Sequence, residues 1–198
     1  SSGYCIQTSQ GMQCTTYCIE ECPFGWVCNQ FSGAGADVVF FCVPPFLNLC
    51  RPCMKGFECW PNQEAFGAAC LDYGAAGNFC GAWCEVEGDC PAGYECQEAT
   101  SVSGATSLRC VLVEGECPCA QRFADEGAWT ECQEENEWGI CVGTRACLAS
   151  GLESCSASIP APESCNGLDD DCDESVDEET GGDPCLVENE SGLCPGLL

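Results

Sequence analysis

Twenty-five cysteines in 198 residues constrain this chain more than any other feature. At about 13% of the sequence, they exceed the roughly 8–10% above which a short chain folds around disulfides in place of an ordinary apolar core. Such a density calls for an oxidising compartment, since a reducing cytosol keeps thiols free. A thiolate metal store sits badly with five Trp, four Tyr and nine Phe. The expected fold class is small and disulfide-rich: tandem loop-rich modules with short β-hairpins, little helix and an acidic loop of the calcium-binding type. The odd count leaves one thiol over, explained by a chain that continues past its end, by an intermolecular bridge, or by a free functional thiol.

The cysteines repeat. Cys14-x3-Cys18-x3-Cys22-Pro23-Phe24-Gly25-Trp26-Val27-Cys28-x13-Cys42 returns as Cys80-x3-Cys84-x5-Cys90-Pro91-Ala92-Gly93-Tyr94-Glu95-Cys96-x13-Cys110. Cys50-Arg51-Pro52-Cys53 and Cys117-Pro118-Cys119 follow the two copies. A second repeat pairs Cys132-x2-Glu135-Asn136-Glu137-x-Gly139-Ile140-Cys141 with Cys185-x2-Glu188-Asn189-Glu190-x-Gly192-Leu193-Cys194. Cys147 follows Cys141 by six residues, so the later copy expects a cysteine two positions beyond Leu198 and the chain reads as stopping within a module. The expected organisation is two cysteine-rich modules over 1–79 and 80–158, an acidic loop over 159–182, and the start of a further repeat over 183–198.

Hairpins are expected where aromatic and β-branched residues flank Gly/Ser turns: 26–30 with 38–43 around 32–36, and 94–98 with 107–113 around 101–104. Helical signal is confined to a turn or two within 62–70 and 121–131. At 79 residues, each module buries too little apolar surface to stand without bridges. Trp26 and Tyr94, the aromatics of the repeated core, are expected to pack against them.

Charge narrows function. The net charge is −27, from 32 acidic and 5 basic side chains. Nucleic-acid binding needs basic groups that displace counterions, so it is excluded, as is an anionic membrane. No apolar stretch is long enough to cross a bilayer. The opening Ser1-Ser2-Gly3-Tyr4 lacks the features of a secretion signal and reads as a mature product or fragment, extracellular or cell-surface. Residues 1–79 hold 6 acidic and 2 basic side chains, whereas residues 80–198 hold 26 and 3. The modules therefore present different surfaces.

The most informative segment runs from Glu163 to Glu179. Asp169, Asp171, Asp173 and Asp177 fall at positions 1, 3, 5 and 9 of a loop, with Ser175 at position 7 offering a backbone carbonyl. That is the oxygen-donor spacing of loops that wrap calcium, a hard cation needing 6–8 oxygens. Glu174 stands at position 6, where glycine is usual, and Thr180 at position 12, so this is no EF-hand. Glu178 or Glu163 is a further donor from outside that register, and Cys172 is placed to bridge to Cys165. A solvated acidic tail is the bland alternative for residues 163–190, which hold 12 acidic and no basic side chains. The regular spacing favours calcium, held by Asp169, Asp171, Asp173, Ser175, Asp177 and Glu178.

Glu163-x-Cys165-Asn166-Gly167-Leu168-Asp169-Asp170-Asp171-Cys172-Asp173-x-x-Val176-Asp177-Glu178 resembles the metal-binding motif of MopE-like bacterial surface and secreted proteins. The accompanying cysteine-rich stretches extend the resemblance over roughly 80–198. It implies an exported, often multi-repeat, metal-binding surface protein and no particular reaction. In that family a glycine usually occupies the position of Glu174. The family's copper associations make copper the alternative cation, for which the chain has no His and only Met12 and Met54 as soft ligands once its cysteines are oxidised.

Catalysis finds little support. Without His there is no Ser-His or Cys-His pair, and a bridged cysteine is no nucleophile. The expected function is non-enzymatic: an extracellular structural, adhesive or assembly protein, stiffened by calcium and joined to other chains or to copies of itself. A metal-scavenging protein is the alternative, and a protease inhibitor with Arg51 or Lys55 as bait is a further one. The apolar run 38–47 contrasts with the polar 106–114 at the matching site of the second module, which makes Phe40, Phe41, Phe46 and Leu47 candidate partner contacts. Asn189-Glu190-Ser191 is a glycosylation sequon.

Overall fold

The structure, a computed structural model, describes residues 4–8, 11–19, 21–23, 26–32, 38–44, 46–59, 68–178, 186–189 and 192–195. The fold is disulfide-rich, with short hairpins and little helix. Antiparallel pairs form between β1 (Tyr4–Thr8) and β2 (Gly11–Thr15), β3 (Val27–Ser32) and β4 (Val38–Val43), β5 (Ala69–Asp72) and β6 (Asn78–Gly81), β7 (Tyr94–Thr100) and β8 (Thr106–Leu112), and β12 (Leu186–Asn189) and β13 (Gly192–Pro195). A three-stranded sheet has the order β11 (Gly151–Leu152), β10 (Ile140–Leu148), β9 (Trp129–Glu135). The helices α1 (Gly56–Cys59) and α2 (Gln121–Asp125) are about one turn each. Both hairpins read from the repeated core are present as β3–β4 and β7–β8; the loop over 33–37 lies outside the described residues.

The two copies of the first repeat share their bridges. Cys18–Cys28 and Cys22–Cys42 correspond to Cys84–Cys96 and Cys90–Cys110. Their backbones agree as well. The isolated bridge Tyr17–Phe41 matches Trp83–Arg109. Cys42 N donates to Thr16 O at 3.1 Å as Cys110 N does to Ala82 O at 2.8 Å.

The chain divides into two compact units. One comprises 1–73, 78–130 and 146–153; the other comprises 74–77, 131–145 and 154–198. In the first unit sulfur takes the place of an aliphatic core. Cys53–Cys70 and Cys59–Cys80 form one buried cluster. Cys50–Cys117 forms a second with buried Phe79 and the half-buried Tyr73, Tyr94, Leu112 and Leu152. Tyr94 meets its expectation there, donating its hydroxyl to Cys50 Sγ at 3.1 Å. Fully buried Thr130 accepts from Asn78 N at 2.7 Å and donates to Cys53 O at 3.3 Å, so its hydroxyl is satisfied on both counts.

The expected helical turns are only partly present. The described end of 62–70 is extended: Cys70 lies in β5 opposite Cys80, where a hairpin backbone aims its side chain at the buried sulfur cluster. Residues 62–67 lie outside the described residues. Of 121–131, α2 takes the first five residues; Gly127, at φ +64°, ends the turn before β9 starts at Trp129. The expected Cys165–Cys172 bridge does not form. Cys172 bonds Cys141, and Cys165 is also disulfide-bonded.

The hairpins invisible to alternation are β1–β2, β5–β6, β9–β10 and β12–β13. The last two coincide with the second sequence repeat: Asn136 N donates to Gly139 O at 3.1 Å, and Asn189 pairs with Gly192.

Candidate metal centre

Residues 163–178 carry eight acidic and no basic side chains. A chain of that charge stays open unless its carboxylates find donors. Here the donors are the loop's own backbone amides. Glu163 is the hub: Oε1 accepts from Asp170 N at 2.6 Å and Asp171 N at 3.2 Å, while Oε2 accepts from Asp177 N at 2.9 Å. Asp169 accepts from Asp173 N at 3.1 Å and Glu174 N at 3.0 Å, and Asp173 from Ser175 N at 2.8 Å. Asp177, only 2% exposed, takes Asn166 N at 2.8 Å and Gly167 N at 2.9 Å on Oδ1. Asp and Asn favour such turns because a short side chain reaches an amide a few residues away.

This coiling gathers oxygens. Carboxylate atoms of Asp169, Asp171 and Asp173 lie within 4.8 Å of one another, and so do those of Glu163, Asp171 and Glu178. Asp171 belongs to both groups. Burial, then the charges of Asp173, Glu163 and Asp169, push its carboxyl above the ordinary value of 3.8, although the amide of Asp173 pulls the other way. Glu178 is held down by a backbone hydrogen bond, yet burial and the charges of Asp173, Glu163 and Asp171 prevail and raise it. Its Oε2 is buried and accepts no hydrogen bond. An unsatisfied buried carboxylate oxygen beside like charges fits a hard cation, which would supply the missing positive charge.

The loop is anchored within its own unit. Cys141–Cys172 ties it to β10, Asn136 Nδ2 donates to Pro160 O at 2.6 Å, and a Cβ at Gly139 would lie 1.9 Å from Asp171 O. Glycine is needed there for close approach to the loop backbone. Cys172, Glu174 and Asp177 have φ of 66°, 78° and 58°, the left-handed region that disfavours side-chain-bearing residues. Glu174 thus meets the backbone requirement that glycine normally serves.

The structure brings together Asp169, Asp171 and Asp173, and Asp171 with Glu178. Asp177 spends its carboxylate on Asn166 and Gly167, and Ser175 is exposed. The hub role of Glu163 was not legible from position counting, because its partners lie 7 to 14 residues further along the chain. The other sulfur clusters, such as Cys53, Cys59 and Cys80, consist of disulfide sulfurs and carry no thiolate for a soft metal.

The candidate contact residues are dispersed. Phe40 is 40% exposed, whereas half-buried Phe41 stacks on Tyr17 with centroids 4.7 Å apart and meets Tyr4 at 4.9 Å. Phe46 and Leu47 are half-buried, and the Leu47 carbonyl accepts from Arg122 Nη2. Arg51 pairs with Glu126 at 3.2 Å and donates to Glu58 O at 3.1 Å; Lys55 is exposed. The disulfides fit an extracellular protein, and no helix among the described residues is long and apolar enough to cross a membrane. No family model matches the chain, and neither a curated protein nor a solved structure proved significantly similar to it.

Proposed function

We propose that the chain is a non-enzymatic, extracellular structural or assembly protein of a cell surface, in which calcium stiffens the acidic loop and disulfides hold the rest. The observation that carries this reading is the convergence of Glu163, Asp171 and Glu178 around a buried carboxylate oxygen without a donor. Asp169 and Asp173 complete the donor set through the second group that shares Asp171. The resemblance of residues 163–178 to the MopE-like motif points the same way.

Calcium suits these donors better than copper, because all of them are carboxylate oxygens and the nearby sulfur is oxidised. At extracellular millimolar calcium and a dissociation constant of about 10⁻⁴–10⁻³ M, binding adds about 0.4–1.4 kcal/mol. That orders a loop without holding a fold. No His-based catalytic pair exists in the sequence, and the gathered carboxylates are committed to amides and to the cation.

Calorimetric titration of the chelator-treated, fully oxidised chain tests the reading. One calcium site that Glu163→Gln or Asp171→Asn removes is the expected result. Tight, selective copper binding that survives both substitutions would instead make the protein a metal scavenger.

A further inference from the structure

Five basic side chains serve a chain with 32 acidic ones, so a cation without a carboxylate stands out. Arg51 pairs with Glu126 at 3.2 Å. Arg122 donates Nη2 to Leu47 O and Asn48 Oδ1, lies over the Phe123 ring and feels the charge of Glu126. Arg109 differs. Its one side-chain hydrogen bond runs from Nη1 to Leu108 O at 3.0 Å, and its Nε is buried with no acceptor. No carboxylate among the described residues lies within ion-pair distance of it. Burial alone pushes its guanidinium below the ordinary value of 12.5, with no acidic neighbour acting the other way. A buried donor left without an acceptor costs free energy that a bound acceptor would recover.

This guanidinium opens on a cavity. Arg109 and Ser107 stand two residues apart on β8, hence on one face of the strand, and both line a space of about 360 Å³. The start of β5, α1 and the turn joining β7 to β8 border it as well. That turn is fixed: Val102 N donates to Cys70 O at 2.9 Å, while Ser101 Oγ accepts from Ala105 N at 3.2 Å and donates to Ala105 O at 3.1 Å. The Ser107 hydroxyl, in contrast, has no protein partner among the described residues. Phe57 and Val102, 51% and 41% exposed, add apolar surface to the lining. A cation, a free hydroxyl and apolar side chains around a space of this size are the ingredients of a small-ligand site.

We infer that this cavity binds a monoanionic carboxylate carrying a small apolar group. The guanidinium offers Nε and a terminal nitrogen as a planar pair that matches the two carboxylate oxygens. Ser107 adds a hydroxyl donor, and the apolar group lies against Phe57 and Val102. One guanidinium neutralises one negative charge. A phosphate dianion would leave a charge uncompensated on a molecule of net charge −27. The same chemistry is presented by a free small acid and by the carboxyl terminus of a polypeptide. The site uses none of the acidic-loop residues, so neither this inference nor the calcium reading needs the other.

Titration of the fully oxidised chain with phenylacetate, followed through the Arg109 Nε–H resonance by NMR, tests the site. A saturable shift is expected, at least about tenfold weaker for phenylacetamide or benzylphosphonate, because each loses the matched charge pair. Arg109→Gln should weaken phenylacetate binding at least about tenfold. Val102→Glu, a change at an exposed position that supplies a competing carboxylate, should do the same without touching the strand. An acetylated peptide ending in phenylalanine, as free acid and as amide, separates the two sources. Tighter binding of the peptide acid than of phenylacetate assigns the site to a chain terminus, and binding of phenylacetate alone assigns it to a free acid. Equal binding of phenylacetate and its amide, or no shift at Arg109, would overturn the proposal. Glu64 lies in sequence between Phe57 and Ala68, and Glu64→Gln should leave binding unchanged. A gain of tenfold or more in that variant would mean that the chain fills its own cavity, and would also overturn it.

Discussion

The β7–β8 copy and the acidic loop solve the same problem by opposite chemistry. Both are short segments with little apolar surface. The first is closed by Cys84–Cys96 and Cys90–Cys110, with a tyrosine lodged on a third bridge. The second is closed by one bridge, Cys141–Cys172, and otherwise by carboxylates bent onto backbone amides. A covalent closure acts on the unfolded chain and ignores ionic conditions. A carboxylate closure depends on pH and cations, because its members repel one another. Structural rigidity and ionic responsiveness are thereby assigned to different stretches of one chain.

Complete reduction should have the largest effect. Cys22–Cys42 and Cys90–Cys110 each span 20 residues, a loop whose closure contributes about 3 kcal/mol. With the core itself made of sulfur, losing all bridges should abolish the fold, seen as loss of near-ultraviolet circular dichroism. Retained tertiary signal in excess reductant would mean that apolar packing, and not sulfur, carries the fold.

Removing only the loop's tether sharpens the contrast. The double substitution Cys141→Ser with Cys172→Ser should cost about 3–4 kcal/mol of restraint on the segment between them. Proteolysis should then cut within 163–178 while 84–110 remains intact. Cleavage spread over both regions would show that the two are not independent.

Glu174→Gly should stabilise. At φ +78° a residue with a Cβ costs about 1–2 kcal/mol relative to glycine, offset in part by glycine's larger entropy loss on folding. The expected outcome is calcium affinity raised by up to about tenfold. Unchanged or weaker binding would mean that the Glu174 side chain contributes to the site.

The smallest effect concerns Asp89, a carboxylate that shows what the loop's members lack. It lies at a turn, where the amides of Glu85 and Val86 donate to it at 2.8 and 3.0 Å and hold its carboxyl below the ordinary value of 3.8. Asp171, crowded by like charge and burial, is raised above that value. A depressed folded-state value means that the contribution of Asp89 is present above pH 3.8 and is lost as pH falls through its folded value. The amide resonances of Glu85 and Val86 should therefore shift only in strong acid, and Asp89→Asn should remove the transition.

Much of the fold was readable because cysteine spacing carries it. The repeated Cys-Pro-x-Gly-aromatic-x-Cys core located β3–β4 and β7–β8, and the identical bridge pattern of the two copies follows that spacing. Connectivity between repeats was not readable. Cys50–Cys117 and Cys141–Cys172 span 67 and 31 residues, and nothing local selects them over other pairings. The hairpin β5–β6 escaped notice because Ala69–Asp72 and Asn78–Gly81 are too short to show alternation. In the acidic loop, alternate aspartates marked the carboxylates, and the absence of glycine at Glu174 marked a constrained backbone position. Glu163 was legible only as a further donor; its hold on the amides of Asp170, Asp171 and Asp177 emerged from geometry, since coiling brings those amides back to it.

Hydrogen exchange read by mass spectrometry, on the fully oxidised chain with calcium and with chelator, tests the division of labour most directly. Chelation should accelerate exchange within 163–178 and leave 80–112 unchanged. Equal acceleration in both regions, or no change in either, would contradict the account.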